Sequence, residues 1–218
     1  MVVTSENSLK SGLRVAAVLL AAGQGSRMGY VPKAMLRLEG VYLVQRHLSA
    51  LREAGIHDVV VVTGFYHEQV EPVVQSFPVK TVRNPRPEAG QPGSVRLGLE
   101  TLGDRFDAVL MVLCDQPLID AQDIHALIDE YQKNGIGRIV VPRVGRQRGN
   151  PVVFSGKVIS EILAQGKDMY CRKYMDDHPE LVVFFDTNNQ HYVLDVDTVS
   201  DLRGFEQTWG MKLELPDR

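Results

Sequence analysis

Cysteine is scarce in this chain of 218 residues: Cys114 and Cys171 are the two present, far apart and in no CxxC pair. That argues against a disulfide framework and a structural zinc site, and it fits a reducing compartment. Long hydrophobic runs are lacking too, and residues 1–14 are polar without the apolar stretch of a signal peptide. No membrane partner is therefore expected, and the protein reads as cytoplasmic. Nor is there an excess of basic charge: a formal charge of −3 gives no general attraction to nucleic acid. The six histidines form no obvious site. Linkers, repeats and low-complexity tracts are absent as well. With an ordinary apolar share of 44%, one domain is expected over residues 13–210, after a flexible N-terminus at 1–12.

What is present begins at Val15. Val15 to Leu20 is an apolar run too short for a helix and rich in branched side chains, as in a buried strand. Ala21, Ala22, Gly23 and Gly25 follow, small enough for backbone N–H groups to approach an anion, and Arg27 and Lys33 add two positive charges. A strand leading into such a loop suits a polyphosphate. The P-loop pattern GxxxxGK[ST] fails, because Met28 and Gly29 stand at its second glycine and its lysine. GxGxxG is missed by one residue, and Val59 to Gly64 ends without the ribose-binding acid, so a nicotinamide dinucleotide is disfavoured.

Further along, helices are expected at Val41–Ala54, Tyr66–Gln75, Gly93–Leu102 and Asp120–Tyr131, the last ended by Gly135. Strands are expected at Val59–Val62, Val79–Arg83 and Ala108–Leu113, then at Ile139–Val141, Val152–Phe154 and Leu181–Phe185. Helices near Lys157–Ala164 and Met169–Asp177 complete the set. This alternation calls for an α/β fold with a Rossmann-like, doubly wound and mostly parallel sheet, because parallel strands need crossovers. His47, on the apolar face of its helix, reads as a packed, hydrogen-bonded residue. Ligands of such sheets bind beyond the carboxyl ends of the strands.

The stretch LAAGQGSRMGYVPK resembles the signature LAAGxSxRMGxxxK of the MobA-like NTP transferase family, closest to molybdenum cofactor cytidylyltransferases. Leu20, Ala21, Ala22, Gly23, Gly25, Arg27, Met28, Gly29 and Lys33 carry the match, with Ser26 among them at a variable position. The likeness extends from about residue 15 to about residue 205 and implies a nucleotide-diphospho-sugar transferase type of fold. It also implies an Mg²⁺ ligand at Asp115, in Asp115-Gln116-Pro117, where the residues alone equally allow a turn aspartate. A second ligand is implied at Asp197 in LDVDTVSDL, with Asp195 as substitute, although Asp197-Thr198 and Asp201 would serve equally as a helix cap. Mg²⁺ takes few carboxylates plus phosphate and water, so two aspartates suffice.

Asn84, Gly90 and Ser94 lie in a stretch resembling the family's nucleotide-binding turn, with Ser94 also a candidate helix cap. Arg148, Gly149, Asn150 and Pro151 resemble its acceptor-binding segment, where a guanidinium of Arg148 or Arg143 suits phosphate. Gly166–Arg172 departs from the family, with Tyr170 and Cys171 before Arg172. The implied reaction is transfer of a nucleoside monophosphate from an NTP, CTP favoured, to a phosphorylated acceptor of molybdopterin type. Pyrophosphate would leave, and the product could pass to a molybdoenzyme. A phosphate nucleophile is already ionised, so no histidine base is required. Arg27, Lys33 and Asp115 are the expected catalytic residues, and losing either cation should cost on the order of 3 kcal/mol. A sugar phosphate acceptor and a non-catalytic nucleotide-binding module are the alternatives.

Overall fold

A computed structural model describes residues 12–166 and 169–216. Except for Gly12, the N-terminal stretch expected to be flexible lies outside the described residues.

The chain runs β1 (Val15–Ala21), β2 (Arg37–Leu38), β3 (Val41–Tyr42), α1 (Leu43–Glu53), β4 (Asp58–Thr63), α2 (His67–Val74), β5 (Lys80–Arg83) and α3 (Gln91–Leu102). It continues with β6 (Ala108–Leu113), α4 (Ala121–Glu130), β7 (Ile139–Val144), β8 (Gln147–Arg148), β9 (Val152–Ser155), α5 (Gly156–Ala164) and α6 (Cys171–Asp177). β10 (Val182–Asp186), α7 (Val199–Trp209) and β11 (Leu213–Glu214) end it. The main sheet has the order β10-β7-β9-β6-β1-β4-β5, with β8 added to β7. β1 pairs in parallel with β4 and β6, β4 with β5, and β7 with β10, while β9 runs antiparallel to both of its neighbours.

β1 lies mid-sheet because every residue of it has an apolar layer to enter. Ala17, Leu19 and Ala21 join Val44, Leu48, Val70 and Ile124 on one face, from α1, α2 and α4. Ala16, Val18 and Leu20 join Val95, Leu99 and Ile159 on the other, from α3 and α5. Each fully buried Val or Leu is worth roughly 1.5–3 kcal/mol, which fixes the strand at both faces and hence its register. α3 packs close only because residue 98 is glycine: a Cβ there would stand 2.5 Å from Val18 Cγ1.

A third apolar cluster lies off the sheet edge, joining Met28, Leu36, Leu38, Leu43, Leu118, Val196, Phe205 and Leu213. It sits with a small antiparallel sheet, β11-β2-β3, so the chain beyond residue 210 contributes a strand to the fold. The helix expected from Val41 starts instead at Leu43, because Glu39 and Gly40, both at positive φ (55° and 77°), make a tight turn that pairs Val41–Tyr42 with Arg37–Leu38. α4 opens with a reciprocal cap between Asp120 and Asp123. Its helical course continues beyond Glu130 as a wider turn, Tyr131–Gly135. Glycine is required at 135, where a Cβ would meet Val140 Cγ2 at 2.4 Å. Among the described residues no helix is long and apolar enough to cross a membrane.

Candidate active site

Beyond the carboxyl ends of β1, β4 and β6 the chain forms a cleft of about 430 Å³. Leu20, Ala21, Ala22, Gly23, Gly25, Ser26, Arg27, Lys33, Gly90, Ser94, Asp115 and Asp197 all line it. Residues separated by more than 150 positions are brought together here, and the local reasons differ for each loop.

The loop after β1 turns at Gly25, which is left-handed at φ 63° and would place a Cβ 2.0 Å from the Val31 carbonyl oxygen. The Gly25 carbonyl accepts from Met28 N (2.9 Å) and Tyr30 N (3.0 Å), closing a short turn. Tyr66 braces that turn from β4's side: its hydroxyl is shared between the carbonyls of Gln24 (2.8 Å) and Tyr30 (2.5 Å). Burial, then its neighbour Tyr30, push the Tyr66 phenol above its ordinary range, so it stays a proton donor. Met28, in the third apolar cluster, anchors the far side of the loop.

Asp115 follows β6, and the loop bearing Asp197 is bonded onto it: Val196 N donates to the Asp115 carbonyl at 3.0 Å. Two more bonds meet at the Tyr192 carbonyl, from the buried Gln116 Nε2 (2.9 Å) and from Asn150 N (2.8 Å). Gly149 allows that approach, since a Cβ there would fall 2.4 Å from the Tyr192 oxygen. Val196 itself is buried in the same cluster as Met28. One apolar core therefore holds both the cationic loop and the second acidic loop.

Asp197 has two candidate uses, helix cap or site ligand, and the hydrogen bonds divide them. The cap of α7 is Thr198, whose hydroxyl accepts from Asp201 N (3.2 Å). The Asp201 carboxylate accepts from Asp197 N (2.9 Å) and Thr198 N (2.7 Å). Burial raises the Asp201 pKa, but these bonds outweigh it and hold the group below its ordinary range. The Asp197 carboxylate is left for the cleft. It accepts from Lys33 Nζ, while Arg27 Nη2 pairs with it at 2.7 Å. Lys33 also reaches Asp115 Oδ2 at 3.1 Å. Burial lowers the Lys33 pKa, yet the two carboxylates more than offset that, and the ammonium is held above its usual range.

Asp115 Oδ1 is enclosed and has no hydrogen-bond partner among the described residues. An orphaned carboxylate oxygen beside a second aspartate is a donor set that fits a hard divalent cation. Asp195 stands near the same pair: partial burial first, then the charges of Asp115 and Asp197, push its carboxyl upward. A separate grouping of Asp120, Asp123 and His191 has two carboxylate oxygens and a ring nitrogen within ligand spacing of one another. These groups are already engaged. Asp120 caps α4, and Asp123 binds Asn189 Nδ2 (2.6 Å) and His191 Nδ1 (2.9 Å).

Other expected site residues lie elsewhere. Asn84 is buried outside the cleft lining, where its Nδ2 donates to Ser94 Oγ (2.9 Å) and its Oδ1 accepts from Arg86 N (3.0 Å). α3 starts at Gln91 after Gly90 (φ 96°), so Ser94 lies within the first turn and does not cap it. Gly149, Asn150 and Pro151, with a cis bond between the last two, precede β9. β9 is antiparallel to β6 with Val152 opposite Met111, which brings this segment to the same sheet edge as Asp115. Arg148 pairs with Asp176 (2.9 Å) and Arg143 with Asp186 (2.6 Å), both outside the cleft lining.

Lys167 and Asp168, within the atypical Gly166–Arg172 stretch, are outside the described residues. Burial pushes the Cys171 thiol up to about 12 and Cys114 well above its ordinary value, so neither is a nucleophile. His47 is buried as expected but not hydrogen-bonded as expected. The Cys114 backbone approaches the ring without a well-formed bond to either nitrogen. Burial, then the charge of Arg46, lower its pKa to about 4. Pro87, Glu88 and Gln91 also line the cleft, as does Tyr66. They escape sequence reasoning because each matters through its position across the cleft, which spacing along the chain does not reveal.

A family model described as "MobA-like NTP transferase domain" matches residues 17–181. Nicotine blue oxidoreductase of Paenarthrobacter nicotinovorans is 29% identical over 194 residues, covering 86% of this chain and 94% of that protein. Among solved structures, a nucleotidyl transferase from Methanothermobacter thermautotroptrophicus superposes with a TM-score of 0.73 at 22% identity, covering 90% of this chain and 97% of its own. CTP:phosphocholine cytidylyltransferase of Streptococcus pneumoniae superposes at 0.62 with 18% identity, over 89% of this chain and 99% of its own. At those identities the two structures speak for the fold alone. The family model spans most of the chain, including the loop after β1, the loop after β6 that bears Asp115 and the turn before α3. The chain belongs to the MobA-like NTP transferase family of nucleotidyltransferases.

Proposed function

We propose that this protein moves a nucleoside monophosphate, CMP by preference, from an NTP to a phosphorylated acceptor and releases pyrophosphate. The acceptor we favour is of molybdopterin type, which makes the protein a molybdenum cofactor cytidylyltransferase whose product passes to a molybdoenzyme. One observation carries the reading: Asp115, Asp197, Lys33 and Arg27 meet in one cleft with the glycine-rich turn after β1.

The chemistry asks little of acid–base groups. An acceptor phosphate oxygen is ionised at neutral pH and attacks the α-phosphorus in line with the bond to the leaving pyrophosphate. His47 is enclosed and neutral, and His191 is bonded to Asp123, which suits a reaction needing no imidazole. Catalysis is then positioning and charge neutralisation. Backbone N–H groups around Gly23 and Gly25 cradle the triphosphate, and Lys33 and Arg27 offset charge developing on the β- and γ-phosphates. Asp115 and Asp197 would hold Mg²⁺, which supplies further neutralisation of the phosphates when bound. The acceptor enters from the side of β9, where Gly149, Asn150 and Pro151 lie at the sheet edge that bears Asp115, outside the cleft lining, and Arg148 can exchange Asp176 for a phosphate.

A second reading comes from the likeness to nicotine blue oxidoreductase over nearly its whole length. On that reading the cleft holds a redox dinucleotide, and the loop cations meet its pyrophosphate. The lysine between two aspartates favours the transferase, since a dinucleotide pyrophosphate has no need of two acidic groups beside it. Pyrophosphate release with Mg²⁺ is to be measured with each NTP, with and without molybdenum-loaded pterin, a sugar phosphate and NADPH. Release with CTP that depends on the pterin is expected. Release that depends on the sugar phosphate moves the assignment to that acceptor. Oxidation of NADPH by an added dye acceptor, without pyrophosphate release, would support the redox reading, and nucleotide binding with neither reaction would leave a binding module.

A further inference from the structure

Lys33 stands between the two carboxylates that would hold a divalent cation. Its ammonium is bonded to Asp115 Oδ2 and to Asp197 Oδ1 at once, and its side chain is 18% exposed against 23% and 22% for its partners. A single positive charge thus bridges two carboxylates that have no other bridging group among the described residues. The remaining Asp197 oxygen is taken by Arg27, whose side chain is 69% exposed. Two cations thus face these two anions with nothing bound, with Asp195 close by. A divalent ion entering this arrangement would meet an ammonium at its own binding position and a guanidinium beside it, and repulsion between like charges a few ångströms apart in a half-buried site is severe.

We propose that Lys33 acts as a tethered substitute cation, so that the protein takes up a divalent metal ion only after a triphosphate has drawn Lys33, and Arg27 with it, off the aspartates. The inference rests on the nucleotidyltransferase reading of the cleft and adds an order to it: nucleotide first or together with its metal, free metal not at all. The exchange balances. Phosphate oxygens replace carboxylates as partners of Lys33 and Arg27, and the ion replaces Lys33 between Asp115 and Asp197. The arrangement keeps the site from capturing a metal ion unproductively, and it gives the carboxylates a partner when no substrate is present. Asp115 Oδ1, enclosed and unpartnered, is the oxygen that gains a partner when the exchange occurs.

The test reads metal binding directly, with no turnover. Mn²⁺ is titrated into the full-length protein and followed by electron paramagnetic resonance, with no nucleotide present, for the wild type, Lys33→Met, and Lys33→Met combined with Asp115→Asn. Melting curves accompany each variant. The wild type should bind Mn²⁺ no tighter than millimolar. Lys33→Met should bind at least tenfold tighter, and the added Asp115→Asn should abolish that gain. Equal binding by wild type and Lys33→Met would overturn the proposal. So would micromolar binding by the wild type alone, a result that decides the matter even if Lys33→Met fails to fold. Pyrophosphate release by the wild type is measured separately, so a metal site open without nucleotide in an active transferase refutes the ordering and leaves the function standing.

Discussion

Two regions at the carboxyl edge of the sheet handle positive charge differently. On the side of the loop after β1, Lys33 and Arg27 point at carboxylates within the cleft, and Lys33 is largely enclosed. On the side of β9, Arg148 and Arg143 pair with Asp176 and Asp186 at the surface, where each pair retains a third or more of its exposure. Exposed pairs of this kind contribute about 0–1 kcal/mol and exchange partners readily. An enclosed lysine between two acids costs more to leave unpaired, so it gives up the carboxylates only where another anion takes their place. On the proposed function, the difference suits a nucleotide half that is prebuilt and an acceptor half completed by the acceptor itself.

Substitutions should reproduce that contrast. Lys33→Met is expected to lower pyrophosphate release by about 3 kcal/mol, roughly two orders of magnitude, with kcat falling more than the KM for CTP rises. A variant with turnover within threefold of wild type would remove Lys33 from catalysis.

His47 provides a pH test of the layer beneath the nucleotide side. Its folded pKa of about 4 lies below the unfolded value of 6.5. The unfolded chain therefore gains a proton that the folded chain refuses, and stability should fall as pH drops from about 6.5 to 4, by up to about 3 kcal/mol. In denaturant titrations across that window His47→Leu should flatten this component of the slope; an unchanged slope would show that His47 does not carry it.

Gly25→Ala is expected to cost roughly 1–3 kcal/mol in melting experiments, because a left-handed alanine would also collide with the Val31 carbonyl. Weakened nucleotide binding should accompany it, and normal affinity with normal stability would show that the turn is not needed in this form. Arg27→Ala should lose about tenfold in turnover, about 1.4 kcal/mol, less than its sequence position suggests because the guanidinium is mostly exposed. A loss equal to that of Lys33→Met would contradict this ranking. Smallest of all, Arg148→Ala should leave the melting temperature within a degree or two while raising the KM for the acceptor alone, about fivefold. An effect on the KM for CTP would place Arg148 on the wrong side of the cleft.

Much of this was legible in the chain. The β1 run, the alternation of strands and helices and the sheet that follows from it depend on local apolar pattern, and local pattern is what a sequence displays. Residues of the loop after β1 carry their own chemistry in their spacing. What was hidden depends on partners distant in sequence. Asn84 was grouped with the nucleotide site, but a hydroxyl ten residues on, Ser94, turns it inward. The roles available to the Asp197 segment are divided by Thr198 and Asp201, which cap each other. Tyr66 carried no signal, since its two acceptors lie 42 and 36 residues earlier. The third apolar cluster, which joins Met28 to Val196 and Phe205, is invisible to any window along the chain.

The claim on which the rest depends is that Asp115 and Asp197 act as one unit through a shared cation. A double-mutant cycle on pyrophosphate release with CTP tests it most directly. Asp115→Asn and Asp197→Asn should each cost on the order of a hundredfold, and the double variant should lose little beyond the worse single one, because the second acid has no function once the first is gone. Losses that multiply, or one substitution that leaves turnover intact, would contradict the account.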